Sequence, residues 1–387
     1  MIYLDNAATT YPKPRAVREA VHEALCRFGA NPGRGGHAMA MSTAEAVFRC
    51  REELAAFFGL CDPSGVCFTA NCTGALNTVI KGLLHRGDHV VTSGYEHNSV
   101  RRPLAALGAE VTEAEVYPGE PQRTVDSFRR AVREDTRLII CTHASNVFGF
   151  SLPIREIGAL AHSLGIPFAV DAAQSAGVLP LDMQRDHVDL LCLPGHKALY
   201  GPMGTGALLC GSAVLPSPLT EGGTGSRSLQ AEQPEELPDR FESGTVNVPG
   251  ICGLCAGVRF VREQGREALA ERETALMRRL YEQLAEVKGL CLYTAYPDLR
   301  VTVPMVTLNV EGLPSEDTAA QLAAAGVAVR AGLHCAPSAH RRMGTLAEGA
   351  VRLCPSCFTT AAAVDTTAKI LREITRKALQ SRESMLK

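Results

Sequence analysis

The 387-residue sequence has no tryptophan, and aromatic residues make up 5% of it. It has no basic stripe with interleaved aromatics, so nothing in it builds a nucleic-acid groove. The formal net charge is −2, from 39 basic and 41 acidic residues, which gives no pull toward nucleic acid or an anionic membrane. No apolar run approaches the ~18 residues that span a bilayer. The segment Met1-Ile2-Tyr3-Leu4-Asp5 lacks both a basic start and an apolar signal core, so the expected location is the cytoplasm. The 14 cysteines are thinly spread for a chain of this length. In a reducing compartment they are expected to be thiols rather than a disulfide framework.

What is present is enough for two domains and a large core, since 46% of the residues are hydrophobic. Thr10 to Arg27 reads as a helix with Pro12 and Pro14 near its start. Asn31 to His37 reads as a loop. Ser42 reads as an N-cap, with Glu45 three residues on, before a helix to Phe58. Val66 to Thr69 reads as a strand, and Asn71-Cys72-Thr73-Gly74 leads into a helix through Leu84. Further strands are expected at His89–Thr92, Leu138–Cys141, Pro167–Val170 and Val188–Leu191, separated by helical segments. Strands that are apolar almost throughout imply a sheet covered on both faces. The expected fold class is therefore α/β with a mainly parallel sheet. A Gly- and Pro-rich section covers Pro216 to Pro249, and a long helix is expected to follow, with Leu269, Leu276, Leu280 and Leu284 on one face. After Gly289 shorter strands and a terminal helix suggest a smaller α+β domain. The expected division is 15–255 for the large domain and 256–387 for the small one, with residues 1–14 packing on the latter.

The chemistry concentrates at Leu193-Pro194-Gly195-His196-Lys197. A lysine just past a buried strand, between Gly, His and Pro, is held at a site; alone it is more often a solvated loop residue. Asp171 ends another apolar run. A lysine and an acid at two strand ends are the pair that pyridoxal phosphate requires: one forms the Schiff base, the other sits at the pyridinium nitrogen. An Asp in that place also commonly caps a helix. Gln174 follows at a spacing that points back toward the same place. The turn at Cys72 and Thr73 opens a helix whose N-terminus suits a phosphate. His97 follows a strand and is placed to stack on an aromatic ring, although a lone histidine there is more often structural. Arg330 and Arg352 are candidates for gripping a carboxylate, against the usual surface ion pair. Cys335, in Arg330-Ala331-Gly332-Leu333-His334-Cys335-Ala336-Pro337, is a loop thiol near Arg and His. Such surroundings lower a thiol pKa, whereas a core cysteine is the blander reading. Two Cys-x-x-Cys pairs, Cys252/Cys255 and Cys354/Cys357, suggest zinc, but buried thiols account for them better, so no metal is expected.

Taken in order, these motifs resemble the cysteine desulfurases, class V aminotransferase-like enzymes of fold-type I that use pyridoxal 5′-phosphate (PLP). Leu4 to Thr10, Asn31 to His37, Glu96-His97-Asn98, Ser145 to Gly149, Asp171 to Gln174, Gly195-His196-Lys197, Phe241 to Thr245 and Arg330 to Pro337 follow the family's sequence from end to end. The short segment around Cys335 looks like the branch with a compact catalytic loop. The resemblance implies a seven-stranded central sheet, PLP as cofactor, and a homodimer in cytoplasmic sulfur transfer or iron–sulfur cluster assembly. It implies that Lys197 carries the cofactor and moves protons. It further implies that Asp171 meets the ring nitrogen, His97 stacks on the ring, and Gln174 contacts the phenolic oxygen. Cys72, Thr73 and His196 would hold the phosphate, with Thr245 reaching the phosphate of the neighbouring subunit. Asn146, Arg352, Arg330 and His37 form the implied substrate-binding set. L-cysteine would become L-alanine while its sulfur passes to Cys335 as a persulfide and then to an acceptor protein.

Three departures stand out. Pro194 occupies a position where relatives often carry Ser, Cys72 one where Thr or Ala is common, and Cys354 and Cys357 replace residues more often Ser and an aromatic. Selenocysteine lyase, with L-selenocysteine as substrate, would use nearly the same site. Another class V aminotransferase or lyase would not need Cys335. A non-catalytic sulfur-trafficking scaffold would not need Lys197.

Overall fold

The computed structural model describes residues 1–33, 35–212 and 214–385. Arg34, within the Asn31–His37 motif, lies outside the described residues. The chain begins with β1 (Ile2–Tyr3), α1 (Arg15–Arg27) and α2 (Ala38–Phe58). It continues through β2 (Val66–Thr69), α3 (Cys72–Leu83), β3 (His89–Ser93), α4 (Asn98–Leu107), β4 (Glu110–Ala114), α5 (Pro121–Ala131) and β5 (Thr136–Thr142). Then come α6 (Ile154–Ser163), β6 (Phe168–Asp171), β7 (Leu190–Pro194), β8 (Gly206–Cys210), α7 (Val248–Gln264) and α8 (Arg266–Leu284). The last part holds β9 (Leu290–Leu292), β10 (Val306–Val310), α9 (Ser315–Ala324), β11 (Val327–Ala328), α10 (Pro337–Arg342), β12 (Val351–Leu353) and α11 (Ala361–Met385).

The central sheet has seven strands in the order β2-β8-β7-β6-β5-β3-β4. Neighbours from β7 to β4 pair in parallel, while β8 runs antiparallel to both β7 and β2. Its inner strands are mainly apolar on both faces because helices cover both, and two clusters of buried side chains form on it, while the edge strand β4 is mostly exposed. The expected α/β architecture is what forms. Parallel strands end on the same edge of a sheet, so the ends of β5, β6 and β7 bring Thr142, Asp171 and Pro194 to one rim. Ligands of open α/β sheets bind at such a rim.

A third apolar cluster holds Leu276, Leu280 and Leu284 of α8, the antiparallel sheet β12-β10-β9, and Leu4 from the N-terminal segment. β1 pairs in parallel with β11, tying the chain start to this region.

Several expected boundaries move, each for a local reason. The first helix starts at Arg15 rather than Thr10, after Pro12 and Pro14. The second starts at Ala38, a turn before Ser42, because His37 caps it by accepting the Ala40 N–H on Nδ1 at 3.3 Å. Ser42 lies inside that helix and caps nothing. The strand expected from Val188 starts at Leu190 and runs to Pro194; Asp189 instead accepts the Phe168 N–H at 2.8 Å. The single long helix is two, α7 and α8, separated at Gly265, whose φ of +80° favours glycine. Residue 255 lies inside α7, and Val258 further along it still packs with the sheet cluster.

Candidate active site

A cavity opens at the rim of the sheet. Its walls include Cys72 and Thr73 from the start of α3, His97, Asn146, Asp171, Gln174, His196 and Lys197. These residues come from five separate segments, so the topology assembles what the sequence spreads over 126 positions.

Lys197 follows β7 in a turn closed by the Tyr200 N–H bond to its carbonyl at 2.8 Å. Burial lowers its pKa from the ordinary lysine value, with Asp171 opposing that shift. A larger neutral fraction suits an amine that must act as a nucleophile. Asp171 is 2% exposed at the end of β6. Its Oδ1 accepts the Ala173 N–H at 2.9 Å and the Cys72 thiol at 3.5 Å. Burial, then the Asp171 charge, pushes the Cys72 thiol well up, so it stays protonated and acts as a donor.

His97 caps α4. Its Nδ1 accepts the Ser99 N–H at 3.0 Å, which places the proton of the neutral ring on Nε2. Burial lowers its pKa and favours that neutral form. The Ser99 hydroxyl bridges His97 Nδ1 at 2.9 Å and Thr73 Oγ1 at 2.8 Å. Gln174 donates Nε2 to the Ala7 carbonyl at 3.1 Å, so the N-terminal segment orients it. The His196 carbonyl accepts from Lys13 Nζ at 2.7 Å and from Thr10. Burial takes Lys13 down to about 8 and His196 down to about 4.

Arg352 on β12 is 1% exposed. It donates to the Asn146 carbonyl at 2.6 Å and to Asp5 Oδ1 at 3.0 Å. Arg330 pairs with it across an antiparallel bridge. The Cys335 loop reaches the same region. The Cys335 carbonyl accepts the Asn98 N–H at 2.7 Å, directly beside His97. Asn146 Nδ2 donates to the His334 carbonyl at 2.7 Å, and His334 Nε2 donates to the Ala350 carbonyl at 2.9 Å. His334 and Cys335 hold φ of +48° and +58°, a left-handed conformation that costs non-glycine residues energy and that these bonds sustain.

Four residues of the substrate-binding and phosphate sets are not among the cavity walls: Arg330 and Arg352, placed above with the Cys335 loop, and His37 and Thr245. His37 is exposed and serves as the α2 cap. Thr245 is exposed, accepts Asn31 Nδ2 at 3.1 Å, and lines a different cavity with Thr69, Thr205 and Asn247. Ser99, Lys13 and Asp5 were not anticipated. Ser99 is legible as the second residue after a capping histidine. The pairing of Asp5 with Arg352 spans nearly the whole chain and leaves no local trace.

The cavity fits PLP on its own polar atoms. His196 Nδ1 in the wall and Arg352 Nε outside it are buried and lack a hydrogen-bond partner. Orphaned buried polar atoms of this kind call for a partner; a carboxylate suits the Arg352 N–H, and a phosphate suits His196 in the tautomer that carries its proton on Nδ1. The start of α3 adds the positive end of a helix to the wall. Among the described residues, no group of three or more His, Cys, Asp or Glu side chains is arranged to hold a metal ion.

The class-V aminotransferase family model matches residues 2–366. A cysteine desulfurase IscS of Anaeromyxobacter sp. (strain Fw109-5) is 36% identical over 396 residues, covering 97% of this chain and 93% of that protein. A probable cysteine desulfurase of Methanothermobacter thermautotrophicus is 32% identical over 350 residues, covering 88% and 86%. The apo structure of a cysteine desulfurase from Thermococcus onnurineus NA1 superposes with a TM-score of 0.88 at 32% identity, covering 97% of this chain and 95% of that one.

Proposed function

The chain belongs to the class-V aminotransferase family and is a cysteine desulfurase, and on that premise we propose that it binds PLP at Lys197 and moves the sulfur of L-cysteine onto Cys335. One observation carries this reading: the Cys335 carbonyl is bonded to Asn98 beside His97, which shares its cavity with Lys197 and Asp171.

In this reading Lys197 would hold the cofactor, with Asp171 serving its ring nitrogen, His97 its ring, Gln174 its phenolic oxygen, and Cys72, Thr73 and His196 its phosphate. Thr245 serves the site of a second copy of the chain, which suits its place away from the Lys197 cavity. When bound, the cofactor draws electrons away from the substrate α-carbon.

The chain's own groups supply the rest. Arg352, with Asn146 and Arg330, holds the substrate carboxylate. Lys197, its pKa lowered by burial, takes the α-proton and returns a proton later. The Cys335 thiolate attacks the substrate sulfur. A sulfur–sulfur bond forms, the carbon–sulfur bond breaks, and its electron pair ends on carbon as a C–H bond of L-alanine. Asn98 and Asn146 hold the loop in its left-handed turn while Cys335 approaches. The persulfide then passes to a thiol acceptor.

The test compares wild type with Cys335→Ala, measuring alanine and sulfide from L-cysteine with a reductant while following cofactor absorbance. Activity should vanish in the variant while absorbance stays. Equal activity in both would sink the persulfide step.

A further inference from the structure

The short helix α10 starts at Pro337, two residues past Cys335. It rests on the central sheet's core through Ala336 and Ala339, both fully buried. Two methyl groups give contact but little shape to fix how a six-residue helix turns on that surface.

The last residue of α10 supplies what the methyls lack. Arg342 reaches the edge of the central sheet, donating Nη2 to Glu113 on β4 at 3.0 Å and Nη1 to Glu115, just past it, at 2.6 Å. Ser338, on the same helix, donates its hydroxyl to Glu113 at 3.5 Å. The guanidinium also lies over Gly94, where an added Cβ would collide with Arg342 Nε. Its Cζ is 6.0 Å from the centre of the Tyr95 ring. Gly94 and Tyr95 belong to the turn between β3 and His97. Arg342 thus ties α10 both to the edge strand and to the segment that carries His97.

We propose that Arg342 is a positioning residue for the sulfur step, clamping α10 to Glu113 and Glu115 so that Cys335 is held within reach of the substrate sulfur. The inference rests on the persulfide reading above. The other end of the Cys335 segment is fixed where the Arg330 carbonyl accepts the Arg352 N–H at 2.8 Å. Cys335 therefore lies between two anchors, one on β12 and one on β4. With the α10 anchor released, the bond from Asn98 to the Cys335 carbonyl is left to hold the thiol near His97. Where reacting atoms must meet, a misplacement of about 1 Å costs on the order of 10²-fold in rate. Arg342 touches neither substrate nor cofactor in this reading, so the steps before sulfur transfer should keep their rates.

The test follows two signals when the cofactor-loaded protein meets L-cysteine in a single turnover. One is the first change in cofactor absorbance; the other is the gain of one sulfur on the Cys335 peptide. In Arg342→Ala the sulfur gain should slow about 10- to 100-fold while the absorbance change keeps its wild-type rate. Glu113→Gln with Glu115→Gln, which leaves Arg342 in place, should slow the same step alike. Combining all three should add nothing, as expected of groups that act as one unit. The Arg342 side chain is 21% exposed, so losing the clamp should leave the thermal midpoint nearly unchanged. A wild-type rate of sulfur gain in Arg342→Ala overturns the proposal, and so does an absorbance change slowed in step with it, or losses that add on combination. If the wild-type protein itself gains no sulfur at Cys335, the persulfide reading fails, and the clamp fails with it.

Discussion

Replacing Arg352 with lysine keeps the charge and removes the geometry. The guanidinium already serves two partners, the Asn146 carbonyl at 2.6 Å and Asp5 at 3.0 Å, and keeps one buried N–H unpaired. A lysine ammonium is a point charge on a flexible stem and lacks the planar fork. Held by Asp5 and Asn146, it leaves the substrate carboxylate short of at least one charge-assisted hydrogen bond. Such a bond is worth about 1.5–3 kcal/mol. At ~1.4 kcal/mol per tenfold, the substrate should bind roughly 10- to 150-fold more weakly. The carboxylate is gripped before and throughout the reaction, so the loss belongs to uniform binding and falls on KM rather than kcat. The assay is alanine release over a range of L-cysteine concentrations, with cofactor absorbance as a control for an intact site. An unchanged KM, or a loss confined to kcat, refutes Arg352 as the carboxylate clamp.

Asp171→Asn should keep the fold and lower alanine formation on the order of 10²–10⁴-fold, since an amide cannot stabilise a protonated ring nitrogen; near-wild-type turnover in that variant would remove Asp171 from the cofactor. Glu273 is fully buried, accepts the Tyr200 hydroxyl at 3.0 Å, and ionises at about 8 instead of 4.5, chiefly through burial. Folding favours its protonated form, so its contribution is complete below pH 4.5 and is lost as pH rises through about 8. Glu273→Gln should therefore flatten the fall in urea midpoint between about pH 4.5 and pH 8, and an identical fall in both proteins would disprove the assignment. Gly201→Ala would set a Cβ 2.8 Å from the Gly195 carbonyl oxygen and 3.1 Å from Leu254 Cα. It should cost about 1–3 kcal/mol of stability and weaken cofactor retention, and a thermal midpoint equal to wild type would show that the turn has slack.

Five of the seven strands, β2, β3, β5, β6 and β7, were legible as mainly apolar runs; the edge strand β4, with Glu110 and Glu113, is mostly exposed and lacks that signal, and β8, although buried, was not read as a strand either. Lys197 and Asp171 could be paired from sequence because each closes such a run. Boundaries were less legible where a side chain outside the usual capping set did the capping. His37 caps α2 with a ring nitrogen, so Ser42 looked like the start. Gly265 interrupts a helical pattern that hydrophobic spacing alone carries across it. The pairing of Asp5 with Arg352 and of Asn98 with Cys335 depends on how the N-terminal segment and the last sheet return to the rim. No spacing rule expresses that, since the partners lie hundreds of residues apart in sequence.

The most direct test of the account is a single turnover of the cofactor-loaded protein with L-cysteine and no reductant, followed by mass analysis of the peptide holding Cys335. The account predicts that this peptide gains one sulfur atom for each alanine released. Alanine released in full with the Cys335 peptide unmodified, or with the sulfur on another cysteine, would contradict it.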